Sequence, residues 1–505
     1  MVQYFNEFLD VLNVYGLSKD QVMLCASSAL AVKGLAENGD IDFIIHPQAR
    51  DQLLKKYRKE LEIFQSGTIN FNKVVQSPRD KYKKFGFSDE MIFNTDSTVI
   101  YMGVRVVPIE LELVRKISEN REKDKKGIEY IESYMRDSNT FDYDLFGKCL
   151  QYANRPIPFV RRVVSWVLAN GIKTIGFSSF IKILIKKIHI HLTKREYIPV
   201  VPTYSLKTQI ESMIDTSLLL HNQYLGEVFS RYDIILRYLT IANFMEGDTS
   251  FNNYKFMQNE RVGFSLPENF ITLIDSFKNN GFKMKYPIPI DSKGHLLDGA
   301  HRLACALYFD IEKVPVQIEQ WSSSIKFGFE WFERKGFEEE FLSVLEKTKR
   351  EIFLKKGLYS PVIIWGAALH LISEIENSIS SEYEIIQSGR LDLEEDYNNF
   401  IEELYNVDGL SYWKIALKQF LLSPYDKSVH FFFIDMKHQN FRMRADRAPL
   451  SDEGASLKAK IRSLYKEKVP ECPSYSDIII HTGDSPIQNR EILKIIRKQK
   501  GLVSE

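Results

Sequence analysis

The stretch CASSALAVKGLAENGDIDFII, residues 25–45, decides the class of fold to which the chain belongs. The apolar run Val22 to Ala26 reads as a short strand, the small residues after it as a turn, ALAVKGL as a helix and IDFII as a second strand. A short helix precedes this stretch, and a Lys/Arg-rich helix follows from Asp51. The alternation of strand, turn, helix, strand and helix is that of an α/β module. Asp40 and Asp42 lie two apart on the second strand, so their side chains share a face. Two carboxylates so placed can share Mg²⁺, which takes oxygen ligands and usually brings substrate phosphates with it. Ser27 and Ser28, at the turn into the helix, can offer hydroxyls and backbone N–H groups to a triphosphate. Such a metal site aligns the α-phosphorus for in-line attack and neutralises charge on leaving pyrophosphate.

Alternation in VIYMGVRVVPIELEL predicts a β-hairpin turning at Met102-Gly103, and LVRKISENREKDKKGIEYIESYM after it a charged helix. Asp89, Asp96, Glu110 and Glu112 are alternative third carboxylates, with Glu110 and Glu112 expected on one strand face. The arrangement resembles the nucleotidyltransferase superfamily, in particular its minimal and AbiEii-like branch. That group has a small-residue turn, a short helix with Gly, D-I-D on a strand and a later K…R-x-K-D helix. Leu113, Lys116, Arg121, Lys123 and Asp124 match that helix, while Ala-Ser-Ser stands where the group usually has Gly-Ser. The resemblance covers about residues 15–135. It implies a bacterial Mg²⁺-dependent nucleotidyltransferase with Asp40 and Asp42 as metal and catalytic residues and Glu110 or Glu112 as further catalytic carboxylates. Ser27, Ser28, Lys116 and Lys123 would bind the nucleotide, ATP or CTP.

At roughly 150 residues per domain, a chain of 505 residues is multidomain. Its 44% apolar and 27% charged residues exclude a largely disordered or multi-span membrane protein. Lys+Arg and Asp+Glu number 67 each, so bulk charge offers no reason to bind DNA. Four cysteines, each over a hundred residues from the next, suggest neither a zinc knuckle nor a disulfide framework and fit a reducing cytoplasm. The N-terminus has no basic n-region and implies no export. The expected organisation is a multidomain α/β (α+β) chain. It comprises a nucleotidyltransferase-like domain (1–150), a helical connector (151–250), a compact α/β domain (251–325), a helical linker (326–356) and a C-terminal α/β domain (357–505).

In the connector, residues 161–195 hold eight Lys/Arg and no Asp/Glu, with Ile181, Leu184, Ile185 and Ile188 on one helical face and Lys182, Lys186 and His189 on another. That pattern suits either a connector helix packed on a neighbouring domain or peripheral contact with an anionic membrane at the inner face.

Between 255 and 320 the order is helix (ENFITLIDSFKNNGF), strand (IPID), a KGHLL strand, an Asp298-Gly299 turn, a helix (HRLACALYF) and a strand (VPVQI). A helix starting at Ala300, His301 and Arg302 presents free N–H groups, and Arg302 adds a bidentate clamp, a cradle for nucleotide phosphates. His301 can bind phosphate or act as acid or base. The segment resembles the ParB/sulfiredoxin-like fold, whose members bind nucleotides at this turn and include small-molecule kinases. The resemblance implies nucleotide binding by Asp298, Gly299 and Arg302, with His301 catalytic. Ala300 stands where a sulfiredoxin has its reactive Cys, and Cys305 reads as core.

In the last segment Gly366 sits between a strand and a helix, where a backbone can approach a phosphate or sugar. His481 at a strand end and Asp484 or Ser485 at a helix cap mark a further candidate site. Arg442, Arg444 and Arg447 with Lys458 and Arg462 could surround a phosphorylated substrate or form a solvated basic face. Taken together, the resemblances imply phosphorylation and nucleotidyl transfer on one small molecule or glycan precursor, such as a substituent for a bacterial surface polysaccharide. Alternatives are an AbiEii-like toxin modifying RNA or protein, and a non-catalytic nucleotide-sensing scaffold.

Overall fold

The structure is a computed structural model that describes residues 2–64, 68–77, 82, 92–93, 99–138, 140–154, 212–262, 266–320, 327–437, 441–444, 447–469 and 477–501. It is mixed α/β with several sheets. The chain forms two compact units: Met1–His191 with Ser411–Leu421 and Pro473–Asp477, and Leu192–Leu410 with Leu422–Cys472 and Ile478–Glu505. The basic stretch 161–195 lies outside the described residues, as do Asp89 and Asp96.

The first unit opens with α1 (Phe5–Tyr15), β1 (Val22–Leu24), α2 (Ala26–Val32), β2 (Ile41–Ile45) and α3 (Pro47–Tyr57), the order expected from residues 25–45. β3 (Glu62–Ile63), β4 (Ile69–Phe71), β5 (Val74–Gln76), β6 (Val99–Tyr101) and β7 (Val104–Val106) complete a sheet ordered β3-β4-β5-β2-β1-β7-β6. β1 pairs antiparallel with β2 and parallel with β7, while β5 runs parallel to β2. The period of two divides the apolar residues between faces. Val22, Leu24, Ile41, Phe43 and Ile45 join α1 in one core, whereas Met23 and Ile44 face another. Asp42 therefore shares the face of Ile44.

The hairpin turns at Met102 (φ 50°) and Gly103 (φ 85°), as expected, the positive φ pair that suits a two-residue loop. The IELEL run beyond it is not strand. Pro108 precedes α4 (Ile109–Glu119), placing Glu110 and Glu112 in a first helical turn, about 200° apart rather than on one strand face. The charged helix is also two: Asn120, in the left-handed region at φ 46°, separates α4 from α5 (Glu122–Asp137). α6 (Tyr143–Asn154) follows.

One further helix of this unit, Tyr412–Leu422, is supplied from far along the chain. Trp413 meets Phe146 edge-on at 5.5 Å, Phe420 stacks on Tyr143 at 5.2 Å, and the Arg136 guanidinium lies 4.2 Å from the Tyr412 ring. Trp413, Ala416 and Leu417 thus complete the core beneath α4, α5 and α6.

In the second unit, β8 (Ser212–Asp215) leads into α7 (Thr216–His221), and Asp215 caps α7 by accepting from Ser217 N at 2.8 Å. Then come α8 (Tyr232–Met245), α9 (Asn252–Val262), α10 (Pro267–Asn280), β9 (Ile288–Ile290), α11 (Ala300–Tyr308) and β10 (Lys313–Ile318). β10 lies between β9, parallel to it, and β8, antiparallel. The KGHLL strand does not form; its one bridge is Ile290 to Leu296. Instead Asp291 accepts from Lys293 N and His295 N, and Gln223 holds the loop through Gly294 O and Leu296 N. Gly294 is obligatory there: its φ is 82°, and a Cβ would come 2.3 Å from Asn222 Nδ2.

After a short helix, Phe329–Arg334, Gly336 (φ 78°) breaks the expected helical linker before α12 (Glu339–Lys355). β11 (Ser360–Trp365), β12 (Glu384–Asp392), β13 (Ser428–Asp435) and β14 (Ile480–Thr482) form an antiparallel sheet ordered β12-β13-β11-β14, flanked by α13 (Asp452–Tyr465) and α14 (Pro486–Gln499). Arg490 of α14 binds Asp215 at 3.2 Å, fastening this sheet to the β8 sheet. The segment expected as domain 251–325 and that expected as domain 357–505, apart from Ser411–Leu421 and Pro473–Asp477, therefore fall in one unit, which also takes in residues 212–250. Among the described residues no helix is long and apolar enough to cross a membrane.

Truncating Trp413 removes a buried side chain from a core supplied by two distant chain segments. Trp413→Ala should cost about 3–5 kcal/mol, lowering the urea midpoint of the first unit's transition; an unchanged midpoint would show that the unit's core closes without this helix.

Candidate functional site

In the first unit the β1–α2 turn is built against Asp42. Cys25 N donates to Asp42 O at 2.9 Å, and Asp42 N donates to Ser28 Oγ at 2.9 Å. Ser27 Oγ and Ser77 Oγ each lie 3.3 Å from an Asp42 carboxylate oxygen. Asp40 comes just before β2, and the buried Asn38 fixes its approach by donating to Asp40 O at 2.9 Å. Asp40, Asp42 and Ser27 are all half-buried, whereas Ser28 is enclosed. The structure thus brings Asp42, Ser27 and Ser77 together at the start of α2, with Asp40 two residues before Asp42 in the chain, and Ser28 holds the strand to the turn.

The other expected residues of this site are placed differently. Glu112 is 0% exposed and accepts from Ala26 N at 2.6 Å, from Arg115 Nε at 2.9 Å and from the Tyr82 hydroxyl. Ala26 has φ 53°, a conformation that costs an L-residue about 1–2 kcal/mol. The Glu112 carboxylate offsets this by binding the N–H that the turn exposes. Glu110 accepts from Asp142 N at 2.8 Å, and burial raises its pKa. Both carboxylates brace α4. Among the described residues no cluster of three metal-ligating side chains occurs.

Lys116 and Asp124 pair at 3.4 Å in the buried contact between α4 and α5, and Arg121 binds Asp124 through Nε at 2.5 Å and Nη2 at 3.1 Å. Burial opposes ionisation of Asp124, yet the Arg121 hydrogen bond and the Lys116 and Arg115 charges hold its carboxyl below the usual range. Gly127 leaves room for Lys116, since a Cβ there would sit 2.7 Å from Lys116 Nζ. Lys123 stands apart, exposed on α5.

The second unit holds the denser constellation. Gly299 caps α11 at φ 90°, and a Cβ there would meet Ile288 at 3.1 Å. Asp298 is 84% exposed and lies 3.7 Å from Arg302 Nη2. Arg302 Nη1 donates to the carbonyls of Tyr286 (2.8 Å) and Pro287 (2.7 Å), fastening α11 to the chain entering β9. His301 Nε2 is 2.9 Å from the Tyr254 hydroxyl, and its ring packs edge-on against Phe270.

Behind His301 lies a group that sequence reasoning missed. Asp233, 0% exposed, receives Arg231 through two bonds of 2.8 and 3.1 Å and Arg237 Nη1 at 3.0 Å, with Arg261 Nη1 at 3.9 Å. Gln258 Oε1 accepts from both Arg237 and Arg261 at 3.2 Å, and Gln258 Nε2 donates to Tyr254 OH at 3.4 Å. Three guanidinium groups surround one carboxylate, and the chain of contacts runs from it to His301. Burial, followed by the Arg237 and Arg261 charges, pushes the His301 imidazole well below its ordinary pKa. Burial lowers Arg237 to about 10. The local signal was present in RYDIILR, where Arg237 stands one helical turn after Asp233.

Elsewhere, Cys305 is buried core, as expected, its thiol pushed up by burial to about 12. The space beside Gly366 is filled by the Asp426 backbone, whose carbonyl oxygen would lie 1.8 Å from a Cβ, so this glycine admits a chain crossing rather than a phosphate or sugar. His481 Nδ1 is 4.0 Å from Asp408, while Asp484 pairs with Lys458 at 2.9 Å. Ser485, not Asp484, caps α14. Lys458 and Arg462 tie α13 to Asp484 and to Ile480 O, and the side chains of Arg442, Arg444 and Arg447 lie outside the described residues.

Asp233→Asn leaves three guanidinium groups around a neutral amide and should cost about 3–5 kcal/mol in urea unfolding; a loss under 1 kcal/mol would mean that water, and not Asp233, compensates the arginines. A second expectation concerns pH. His301 is held neutral when folded, so below about pH 6.5 only the unfolded chain binds its proton. Its contribution is therefore complete above that pH and is lost as pH falls towards the lower folded value. His301→Gln should flatten the decline in urea midpoint between pH 7 and 5, and equal slopes in both proteins would contradict the assignment.

Compared with known proteins, the chain matches no family model, no curated protein and no solved structure.

Proposed function

We propose that the first unit is a Mg²⁺-dependent nucleotidyltransferase and that the DGAHR turn of the second binds nucleotide phosphate in the manner of a small-molecule kinase. The two together would activate one acceptor by phosphorylation and nucleotidyl transfer. The observation that supports this reading is the half-buried Asp42, ringed by the Ser27 and Ser77 hydroxyls at the start of α2 with Asp40 two residues before it. Two carboxylates and nearby hydroxyls are an all-oxygen donor set of the kind Mg²⁺ takes when phosphates supply its remaining ligands. Asp40 and Asp42 would hold the ion, which when bound would neutralise charge on the departing pyrophosphate. Ser27 would orient the Asp42 carboxylate and meet the triphosphate, and Asp42 N–H, bound to Ser28, would keep the strand in place. The acceptor is a small molecule or glycan precursor, and ATP or CTP the donor.

A second reading, a nucleotide-sensing scaffold without turnover, draws support from Glu112, Lys116 and Asp124, which are engaged with one another's neighbours inside the unit. One assay separates the two: protein, Mg²⁺, each triphosphate and a bacterial metabolite extract, with products read by mass spectrometry. The transfer reading expects a nucleotidylated product that falls by about 10²–10³-fold in Asp42→Asn, the scale lost with a transition-state charge partner. Absence of product in every mixture, or full turnover by a folded Asp42→Asn protein, would favour the scaffold or move the site elsewhere.

A further inference from the structure

We propose that the cavity beside α10 and α11 binds a small organic carboxylate with an apolar, ring-sized body, its acid group held by Arg302 and Lys283. This goes beyond the nucleotide reading of the DGAHR turn and does not rest on it.

The cavity is made by one face of α10 and the chain that follows it. Thr272, Leu273, Ser276 and Phe277 recur at helical spacing and line it. α10 ends at Gly281 (φ 64°), whose N–H donates to Phe277 O at 2.9 Å. The chain beyond adds Phe282, Lys283 and Tyr286 to the lining, and Arg302 of α11 completes it. Two bonds from Arg302 Nη1, to the carbonyls of Tyr286 and Pro287, hold this returning chain in place. Lys283 and Tyr286 are exposed and Arg302 is 22% exposed, so a ligand can enter beside them.

Size and lining select the body of the ligand. The volume is about 280 Å³. A cavity of roughly 150 Å³ suffices for benzene, so one ring with a short arm fills this one, whereas a whole nucleoside triphosphate exceeds it. Leu273, Phe277, Phe282 and Tyr286 offer that ring apolar contact.

Charge selects the head group. Arg302 is anchored by Nη1 alone; its Nε and Nη2 carry three further N–H groups with no acceptor within hydrogen-bond reach among the described residues. Asp298 Oδ2 stands 3.7 Å from Nη2, beyond a hydrogen bond, and is 84% exposed, so solvent screens that pair. Parallel donors on Nε and Nη2 match the two oxygens of a carboxylate. Gly299 keeps them clear, since a Cβ there would lie 3.2 Å from Nη2 and 3.4 Å from Nε. Lys283 brings a second cation, and no Asp or Glu lines the cavity to answer either charge.

The test is a ligand-observed NMR titration of the full-length chain at neutral pH, with benzoate, 3-phenylpropionate and hexanoate as probes and their primary amides as uncharged counterparts. At least one acid should bind saturably and at least tenfold tighter than its amide. Its Kd should rise at least tenfold in Arg302→Gln, the scale of a hydrogen bond to a charged group, and about threefold in Lys283→Gln, as for an exposed ion pair. Ser276→Phe, which fills the cavity without touching Arg302, should abolish binding. Arg302 also holds the chain after α10, so its variant is judged by the ratio of acid to amide affinity, which should fall towards one while the amide still binds. If circular dichroism shows Arg302→Gln unfolded, the wild-type ratio, Lys283→Gln and Ser276→Phe decide. Equal affinity for acid and amide, binding that survives Ser276→Phe, or no binding of any acid overturns the proposal. AMP, titrated in parallel, keeps the nucleotide reading separate: AMP binding that is lost in Ser276→Phe while every acid fails gives the cavity to the nucleotide and overturns the carboxylate assignment alone.

Discussion

Asp233 is a carboxylate buried to the point of zero exposure, and the helices α8 and α9 and the loop ahead of α11 are arranged around it. Its two oxygens draw in Arg231 from the start of α8, Arg237 from one turn along that helix, and Arg261 from the end of α9. Arg231 reaches onward to the carbonyl of Leu296, in the loop that delivers the DGAHR turn. One charge therefore fixes the mutual placement of α8, α9 and the residues ahead of α11. Arginine suits this role where lysine would not, because a planar fork can serve a carboxylate and a carbonyl at once. Burial is the first reason that His301 is held below its ordinary pKa, and the Arg237 and Arg261 charges add to it, since protonation would bring a further cation beside them.

The first unit uses a buried carboxylate to the opposite end. Glu112 gathers an N–H, a hydroxyl and one guanidinium, so its charge is answered within the protein. Its bond to Ala26 N supports the left-handed φ of that residue, which aims the turn at Asp42. A glycine at 26 would adopt this conformation without help, and the chain has reached the same turn with an alanine and a carboxylate behind it. The position of Asp42 thus depends on a residue on α4, 70 positions later in the sequence.

What could be read in the sequence was local. The strand, turn, helix and strand of residues 22–45 follow from apolar runs separated by small residues, and the Met102-Gly103 turn from alternation on both sides of it. IELEL was misleading because alternation over five residues satisfies a strand and leaves a helix undetermined; Pro108 and the helical continuation through Val114 and Arg115 decide it. KGHLL failed as a strand because Asp291 offered the backbone N–H groups of Lys293 and His295 a nearer acceptor. The helix Tyr412–Leu422 and the Arg261 contribution to the Asp233 cluster are non-local pairings, and no window of sequence contains both partners. Of that cluster only the Asp233/Arg237 spacing was within reach of inspection.

The two candidate sites differ in the sign of what they lack, and this sets what each can bind unaided. In the first unit, among the described residues, the cations of α4 and of the turn after it are engaged: Arg115 by Glu112 and Glu119, Lys116 and Arg121 by Asp124. A triphosphate approaching two carboxylates such as Asp40 and Asp42 is repelled by them unless a divalent cation lies between. Around Asp233 three guanidinium groups stand against one carboxylate, a balance that would repel a divalent cation. Metal dependence is thus expected of the nucleotide binding proposed for the first unit, whereas the Asp233 cluster of the second is unsuited to a divalent cation, a division that follows from which buried charges the fold has already paired.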